Sequence, residues 1–442
     1  MMTFSPANSK ITPFDYTIFF GTIIYFILKV MYSSGELTPD GITYLQQVQD
    51  FWHYKANFPL GYPLAIKLLS FFTGSFFVAS KLVNILAYIG IVLFSYRKNF
   101  FLSQTILVFS FYPFLNLYPI SLSEPLYYFF NYLIIYYVYN YTREGFITKH
   151  TIYLSTLFFL LISVRFSGIF VLISVLVYLA YLSFKKFHSV RSFIILSTSL
   201  SAGALAYLLI NYMYCGFALG QRDHLHISPA PLVDFISKIS VSILKDFSFL
   251  NVIIHKGILH RISVLNIFVG IALVSFCAYI FIKKRKNIDY FNFYLIISLI
   301  IVLSGILYSY YTTKIDDTIR IKSNAYLYLI LFIALNISKK NIVYAQTFAA
   351  LILSINSFSV IKYYGEITNY EVKFSKLIQG CKDRKVDILY KKIQNSNEKN
   401  HSAVLRFKAF LIDKEYIIVE SNGGQQNGSA CQVLTSEIIN QK

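Results

Sequence analysis

This sequence predicts an all-α polytopic membrane protein of about eleven transmembrane helices with a small C-terminal α/β tail domain. Three observations carry that expectation. Of the 442 residues, 56% are hydrophobic and only 14% charged, whereas a soluble domain carries about a quarter charged. Apolar runs of about twenty residues recur with short gaps between them. After Lys362 the hydrophobicity falls and Asn, Gln, Gly and Lys take over.

The runs are Phe14–Tyr32, Val78–Tyr96, Phe100–Leu117, Pro125–Tyr141, Thr151–Val164, Gly168–Phe184, Ser192–Met213, Ile262–Ile282, Tyr290–Tyr311, Asn324–Ile337 and Ile342–Val360. The first lacks a small-x-small cleavage site and heads a whole series, so it is expected to stay in the mature protein. The chain thus divides into a transmembrane region, 1–361, and a tail, 362–442, read as a small mixed domain or lid. Within the tail, "KAFLIDKEYIIVE" has the composition of a strand. Cys381 and Cys431 both fall there, and they can pair if the tail faces an oxidising compartment. Cys215 and Cys277 lie at or in predicted spans.

The formal charge of +19 would point to nucleic acid in a soluble protein. Here much of it sits in short loops, so it reports topology, with anionic lipid rather than nucleic acid as partner. Taking the gaps alternately, one set is compact and basic: Arg97 and Lys98, Arg143 with Lys149, Lys185 and Lys186 with Arg191, Lys283 to Lys286, and Lys339 with Lys340. By the positive-inside rule these face the cytoplasm. The N-terminus then starts in the cytoplasm, while the first loop, the turn at Glu124, Arg165, the long 214–261 segment, Arg320 and the tail meet on the other face.

Nearly every unusual polar residue falls in that second set, which predicts one composite site on the outer side. Asp40 follows Pro39 and precedes Gly41 at the start of "ITYLQQVQDFW". An isolated Asp in such a turn most simply caps a helix, but this one opens an interfacial stretch carrying Tyr44, Trp52, His53 and Tyr54. Glu124, bracketed by Pro119 and Pro125, opens the fourth span, where a carboxylate complements the helix dipole. Arg165 stands between two apolar runs and Arg320 at the outer end of the tenth, beside Asp316 and Asp317. Guanidinium groups at that depth snorkel or bind an anion, and they grip phosphate in a planar fork. The long outer segment adds Arg222, Asp223, His224 and His226. That cluster lacks a third or fourth ligand at metal-site spacing. The stretch 229–250 after it reads as amphipathic, suited to lying in the interface.

Other chemistry has no foothold. There is no HExxH, GxSxG, GxGxxG or phosphate loop, and no internal repeat. The 37 tyrosines and 42 phenylalanines are expected in lipid-facing and interfacial packing.

The opening stretch, "PDGITYLQQVQDF" through "FPLGYPLAIKLLS", resembles the first outer loop of the GT-C superfamily of integral membrane glycosyltransferases. The resemblance is in particular to bacterial members similar to the mannosyltransferase and aminoarabinose-transferase (family 39) proteins. "SEPLYYFF", "VRFSGIF" and "RIKSNAYLYLILFIAL" look like further landmarks of that group, in the expected order, so the resemblance covers about Phe14 to Ile337. It implies a polyprenyl-phosphate sugar donor and transfer, on the periplasmic side of a bacterial inner membrane, to a lipid, glycan or protein acceptor. Asp40 matches the acidic residue of the first loop and would be the general base, with inversion at the anomeric carbon. Glu124 would orient the acceptor or Asp40, and Arg165, Arg320 and Arg222 are the candidates for holding the donor phosphate. Tyr44, His53 and Tyr62 are the candidates for sugar or acceptor contact. Some relatives carry two adjacent acids where this chain has Asp40-Gly41, so the expectation is a reaction without metal or other cofactor.

Three rival classes are weighed against this one, the last a structural subunit with a degenerate site, against which Asp40, Arg165 and Arg320 together count. A transporter or flippase for lipid-linked saccharides predicts charges lining a path through the spans, whereas the charges here cluster at span ends. A surface-glycan polymerase or ligase differs mainly in its donor.

Overall fold

The computed structural model describes residues 12–32, 36–52, 58–220, 231–248, 263–284, 288–313, 318–364, 370–379, 381, 385–390, 401–422 and 431–439. Most of them are helical. The helices are α1 (Pro13–Tyr32), α2 (Pro39–Gln49), α3 (Gly61–Thr73), α4 (Phe76–Lys98), α5 (Leu102–Phe109), α6 (Tyr112–Leu115), α7 (Glu124–Glu144), α8 (Thr148–Val164), α9 (Gly168–Phe184) and α10 (Val190–Cys215). After these come α11 (Leu232–Asp246), α12 (Ser263–Lys284), α13 (Tyr290–Thr312), α14 (Ile319–Asn336) and α15 (Lys339–Tyr364). The tail holds α16 (Tyr370–Leu377), β1 (Lys385–Tyr390), α17 (Ser402–Asp413), β2 (Ile417–Asn422), β3 (Cys431–Leu434) and α18 (Thr435–Ile439).

Six of these helices, α1, α4, α10, α12, α13 and α15, are long and apolar enough to cross a bilayer. The apolar α8 and α9 have 17 residues each, about 25 Å of rise. The expected count of about eleven is therefore not reached on length and apolarity, and beyond the shortness of α8 and α9 two causes account for the difference. The run Phe100–Leu117 is not one helix: it breaks into α5 and α6 around Phe111, which is extended at ψ 144°, with Pro113 inside the short second piece. Helices α7 and α14 are long but carry many Tyr, Asn and charged residues.

Those tyrosines correct a second expectation, since many lie inside the bundle rather than on its lipid face. Tyr127, Tyr128, Tyr132, Tyr178, Tyr294 and Tyr328 are fully buried. Several of their hydroxyls bridge helices: Tyr328 donates to Asn131 Oδ1 at 2.8 Å, while Tyr132 pairs with Thr105 at 2.6 Å and Tyr178 with Thr142 at 2.9 Å. Away from water such interhelical bonds are worth about 0.6–2 kcal/mol each.

The tail is a three-stranded parallel sheet of order β2-β1-β3. A Cys381–Cys431 disulfide, with Cα atoms 5.3 Å apart, ties the residues before β1 to the start of β3. The run read as strand is helix over its first half, because α17 is apolar on two faces. Val404, Phe407 and Leu411 fill the core of the tail, while Leu405, Ala409 and Ile412 join the core of the membrane region. A helix buried on both sides presents a continuous apolar run, which periodicity alone cannot tell from a strand.

Helix α17 also fastens the tail to the bundle. Asp413 accepts from Ser75 Oγ at 2.6 Å and from the backbone N–H of Phe76 at 2.7 Å and Phe77 at 3.3 Å, so it caps α4 from a distant part of the chain. Arg406 lies over the Phe77 ring, 3.5 Å from its centroid. Burial pushes the Asp413 carboxyl above its usual range, while these hydrogen bonds pull the other way. Asp413→Ala is expected to cost about 1–2 kcal/mol of docking, seen as faster protease cleavage between α15 and β1.

Candidate active site

Four charged side chains predicted from separate stretches of sequence meet in one cluster. Arg165 Nη1 lies 2.6 Å from Glu124 Oε1, Arg320 Nη2 lies 2.6 Å from Asp40 Oδ2, and Arg320 Nε lies 3.1 Å from Glu124 Oε1. Glu124 thus sits between both guanidinium groups. Side-chain exposure grades across the cluster, from 0% at Glu124 through 16% at Arg165 and 24% at Arg320 to 34% at Asp40. Asp40 is the carboxylate a bound molecule can reach; Glu124 is sealed behind it.

Local sequence explains each placement. Helix α2 begins with Pro39 in its first turn, and the cap is Thr38, whose Oγ1 accepts from Gly41 N at 3.1 Å. Capping is therefore done by Thr38, and the Asp40 carboxylate is left to Arg320. Gly41 serves packing: a Cβ there would stand 2.8 Å from the Ser121 carbonyl oxygen, so only glycine lets α2 lie against the loop that leads to Glu124. Gly41→Ala is expected to cost about 1–3 kcal/mol by overpacking, read as a lower melting temperature in detergent.

That loop is held from several sides. Ser80 Oγ pairs with Ser121 Oγ at 2.7 Å; Lys81 Nζ donates to Pro119 O at 2.6 Å, and Asn84 Nδ2 to Ile120 O at 2.5 Å. One face of α4 thereby fixes the turn preceding Glu124. Ser123 links the remaining parts, since its Oγ shares a hydrogen bond with the Tyr44 hydroxyl at 3.0 Å and accepts from Arg165 Nη1 at 3.3 Å. Arg165 itself occupies the extended break between α8 and α9. A second close approach sets that break: a Cβ on Gly61, at the head of α3, would lie 2.7 Å from the Ser163 carbonyl oxygen.

Burial pushes the Tyr44 hydroxyl up to about 12, with neighbouring Arg165 pulling it down. Tyr44 therefore stays protonated at neutral pH and contributes a hydroxyl rather than a base. Tyr62 is fully buried behind it, edge-on to the Tyr44 ring at 5.0 Å, with its hydroxyl 3.4 Å from Ser80 O. Arg222 and His53 lie outside the described residues, as do Asp223, His224, His226, Asp316 and Asp317. Among the described residues no three of His, Cys, Asp and Glu converge as a metal site.

Ser123 was missed by sequence reasoning, as was a second buried pair nearby. Lys322, two residues beyond Arg320, is fully buried and lies 2.6 Å from Asp246 Oδ2 while donating to Ser242 at 2.6 Å; the Tyr326 hydroxyl also donates to Asp246, at 2.8 Å. These contacts hold α11 against α14. The outward face of α11, with Leu232, Val233 and Ile236 exposed, fits the amphipathic stretch expected there. The spacing of Asp246, Lys322 and Tyr326 carries no motif that could have announced the network.

Four helices, α2, α7, α9 and α14, begin within a few residues of Asp40, Glu124, Arg165 and Arg320. Their N-termini carry partial positive charge. Two carboxylates and two guanidinium groups sum to zero, yet each guanidinium keeps N–H groups beyond those used here. The arrangement can hold an anion at the arginines while presenting an exposed carboxylate beside it. A scan against protein-family models matches none, and a search of curated proteins finds no significant match.

Proposed function

We propose that this chain is an integral membrane glycosyltransferase of GT-C type, moving a sugar from a polyprenyl-phosphate donor to an acceptor on the extracytoplasmic face. The observation that carries the reading is the meeting of Asp40, Glu124, Arg165 and Arg320 at one end of the helices. At the far ends of the same helices stand the basic residues: Lys98 on α4, Arg143 on α7, Lys149 on α8 and, just past α9, Lys185. Helix α7 alone runs from Glu124 to Arg143. By the positive-inside rule the cluster then faces outward. The disulfide-bonded tail, fastened at the same end through Asp413, agrees with an oxidising outer compartment, the periplasm if the membrane is a bacterial inner membrane. On this reading α7, α14 and the shorter α8 and α9 also cross the bilayer, and the α5–α6 pair enters it within the bundle, approaching the expected eleven.

The donor phosphate lies against Arg165 and Arg320, at the N-termini of α7, α9 and α14. Arg320 exchanges part of its contact with Asp40 for the phosphate, which leaves the Asp40 carboxylate free to accept a proton. The acceptor oxygen attacks the anomeric carbon from the face opposite the phosphate, and its proton passes to Asp40. The bond from that carbon to the phosphate oxygen breaks, and polyprenyl phosphate departs with one more negative charge than it carried as the diester. The two guanidinium groups stabilise that charge, so no strong general acid is needed. Glu124 holds both arginines in place. The product carries inverted anomeric configuration.

Purified protein in lipid nanodiscs, supplied with radiolabelled polyprenyl-monophosphate hexoses and pentoses and a membrane acceptor fraction, tests the reading. Transfer from at least one donor with inversion is expected. Transfer with retention would rule out single displacement by an Asp40-activated hydroxyl.

A further inference from the structure

Gln47 has a fully buried side chain, and among the described residues neither its Oε1 nor its Nε2 has a hydrogen-bond partner. Buried polar groups are nearly always paired, because leaving one unpaired forfeits its hydration with nothing in return. A buried carboxamide with both ends open therefore calls for a specific partner. Its neighbour on the same helix is ordinary by comparison, since Gln49 donates to Tyr416 O at 3.5 Å.

Gln47 follows Asp40 by seven residues and Tyr44 by three, so the three side chains form one stripe along α2. Asp40 and Tyr44 on that stripe both engage the charged cluster, through Arg320 and Ser123. Seven residues of helix set Gln47 about 10 Å along the axis from Asp40. That is farther than the atoms exchanging a bond can lie, and it is about the distance from an attacking hydroxyl to the far side of its ring or to the next unit.

We propose that Gln47 is a specificity residue of the acceptor subsite, its carboxamide receiving a neutral group that both donates and accepts, such as paired sugar hydroxyls or an N-acetyl amide. The acceptor is then a glycan or glycan-bearing molecule rather than a bare lipid alcohol. This rests on the glycosyltransferase reading for the role of the site, but the contact itself does not depend on which donor is used. A carboxamide offers one acceptor oxygen and two N–H donors, which matches a hydroxyl pair.

The test is binding of fluorophore-tagged oligosaccharides, one to four hexose or N-acetylhexosamine units long, to full-length protein in nanodiscs. It compares wild type, Gln47→Met and Gln47→Leu. Wild type is expected to bind at least one oligosaccharide, and the two apolar variants to bind about tenfold more weakly. Their melting temperature should equal or exceed that of wild type, because the unpaired amide has been removed; a residue with a merely structural role would lower it. Unchanged affinity in Gln47→Met and Gln47→Leu, or no oligosaccharide binding by wild type, overturns the inference. Gln47-dependent binding without transfer from any polyprenyl-phosphate sugar would instead uphold this contact and defeat the donor assignment.

Discussion

Glu124→Leu is expected to abolish the folded protein, whereas Glu124→Gln should fold but melt markedly lower. Glu124 is sealed from solvent and lies within ion-pair distance of both Arg165 and Arg320. Removing the carboxylate leaves two largely buried guanidinium groups facing each other with Asp40, at the more exposed edge, as their remaining counter-charge among the described residues. Breaking a buried pair from one side costs about 3–5 kcal/mol, and here one residue serves two partners. Net stabilities of folded domains are about 5–15 kcal/mol, so the loss approaches the whole. Glutamine keeps the shape and one acceptor oxygen, which returns part of the hydrogen bonding but none of the charge. Size-exclusion profiles and melting curves of the purified variants would register the difference. A Glu124→Leu protein with wild-type melting would show that the arginines need no buried counter-ion.

Asp40→Asn has the reverse signature. Asp40 is about one-third exposed and its pairing with Arg320 is screened by water, so losing the charge should cost no more than about 1 kcal/mol of stability. On the proposed mechanism its chemical effect is larger. Removing a positioned general base lowers the rate by about 10²–10⁴-fold, and asparagine, which fills the same space, cannot take the proton. Near-normal melting with transfer reduced at least about a hundredfold is the expected pair of results. Rate and stability falling together would instead place Asp40 with the residues that hold the cluster.

The charged cluster is easier to read in the sequence than the architecture, for physical reasons visible at particular residues. Charges are scarce in an apolar chain, so Asp40, Glu124, Arg165 and Arg320 stand out, and the alternation of basic loops puts them on one predicted face. Their contacts depend on close approaches, of α2 to the loop at Ser121 and of α3 to Ser163, that only Gly41 and Gly61 hint at. The span count was less legible, because a run of apolar residues does not say whether it is one helix. Phe100–Leu117 has the length of a span and yet folds as α5 and α6. Helix α17 looked like a strand because it buries two faces, one against the tail and one against the bundle. Ser123 and Gln47 left no pattern at all: a serine before an acid and one glutamine among several are ordinary in composition, and burial alone sets them apart.

The claim on which the rest depends is that Asp40, set against two anion-holding arginines, makes this cluster a sugar-transfer site. The direct measurement is transfer from a panel of radiolabelled polyprenyl-monophosphate sugars by wild-type protein and Asp40→Asn side by side, each with and without a chelator. The account predicts chelator-resistant turnover by wild type with at least one donor and at most about a hundredth of that rate in the variant. Equal turnover by the two proteins, or tight binding of the lipid phosphate with no transfer by either, would contradict it.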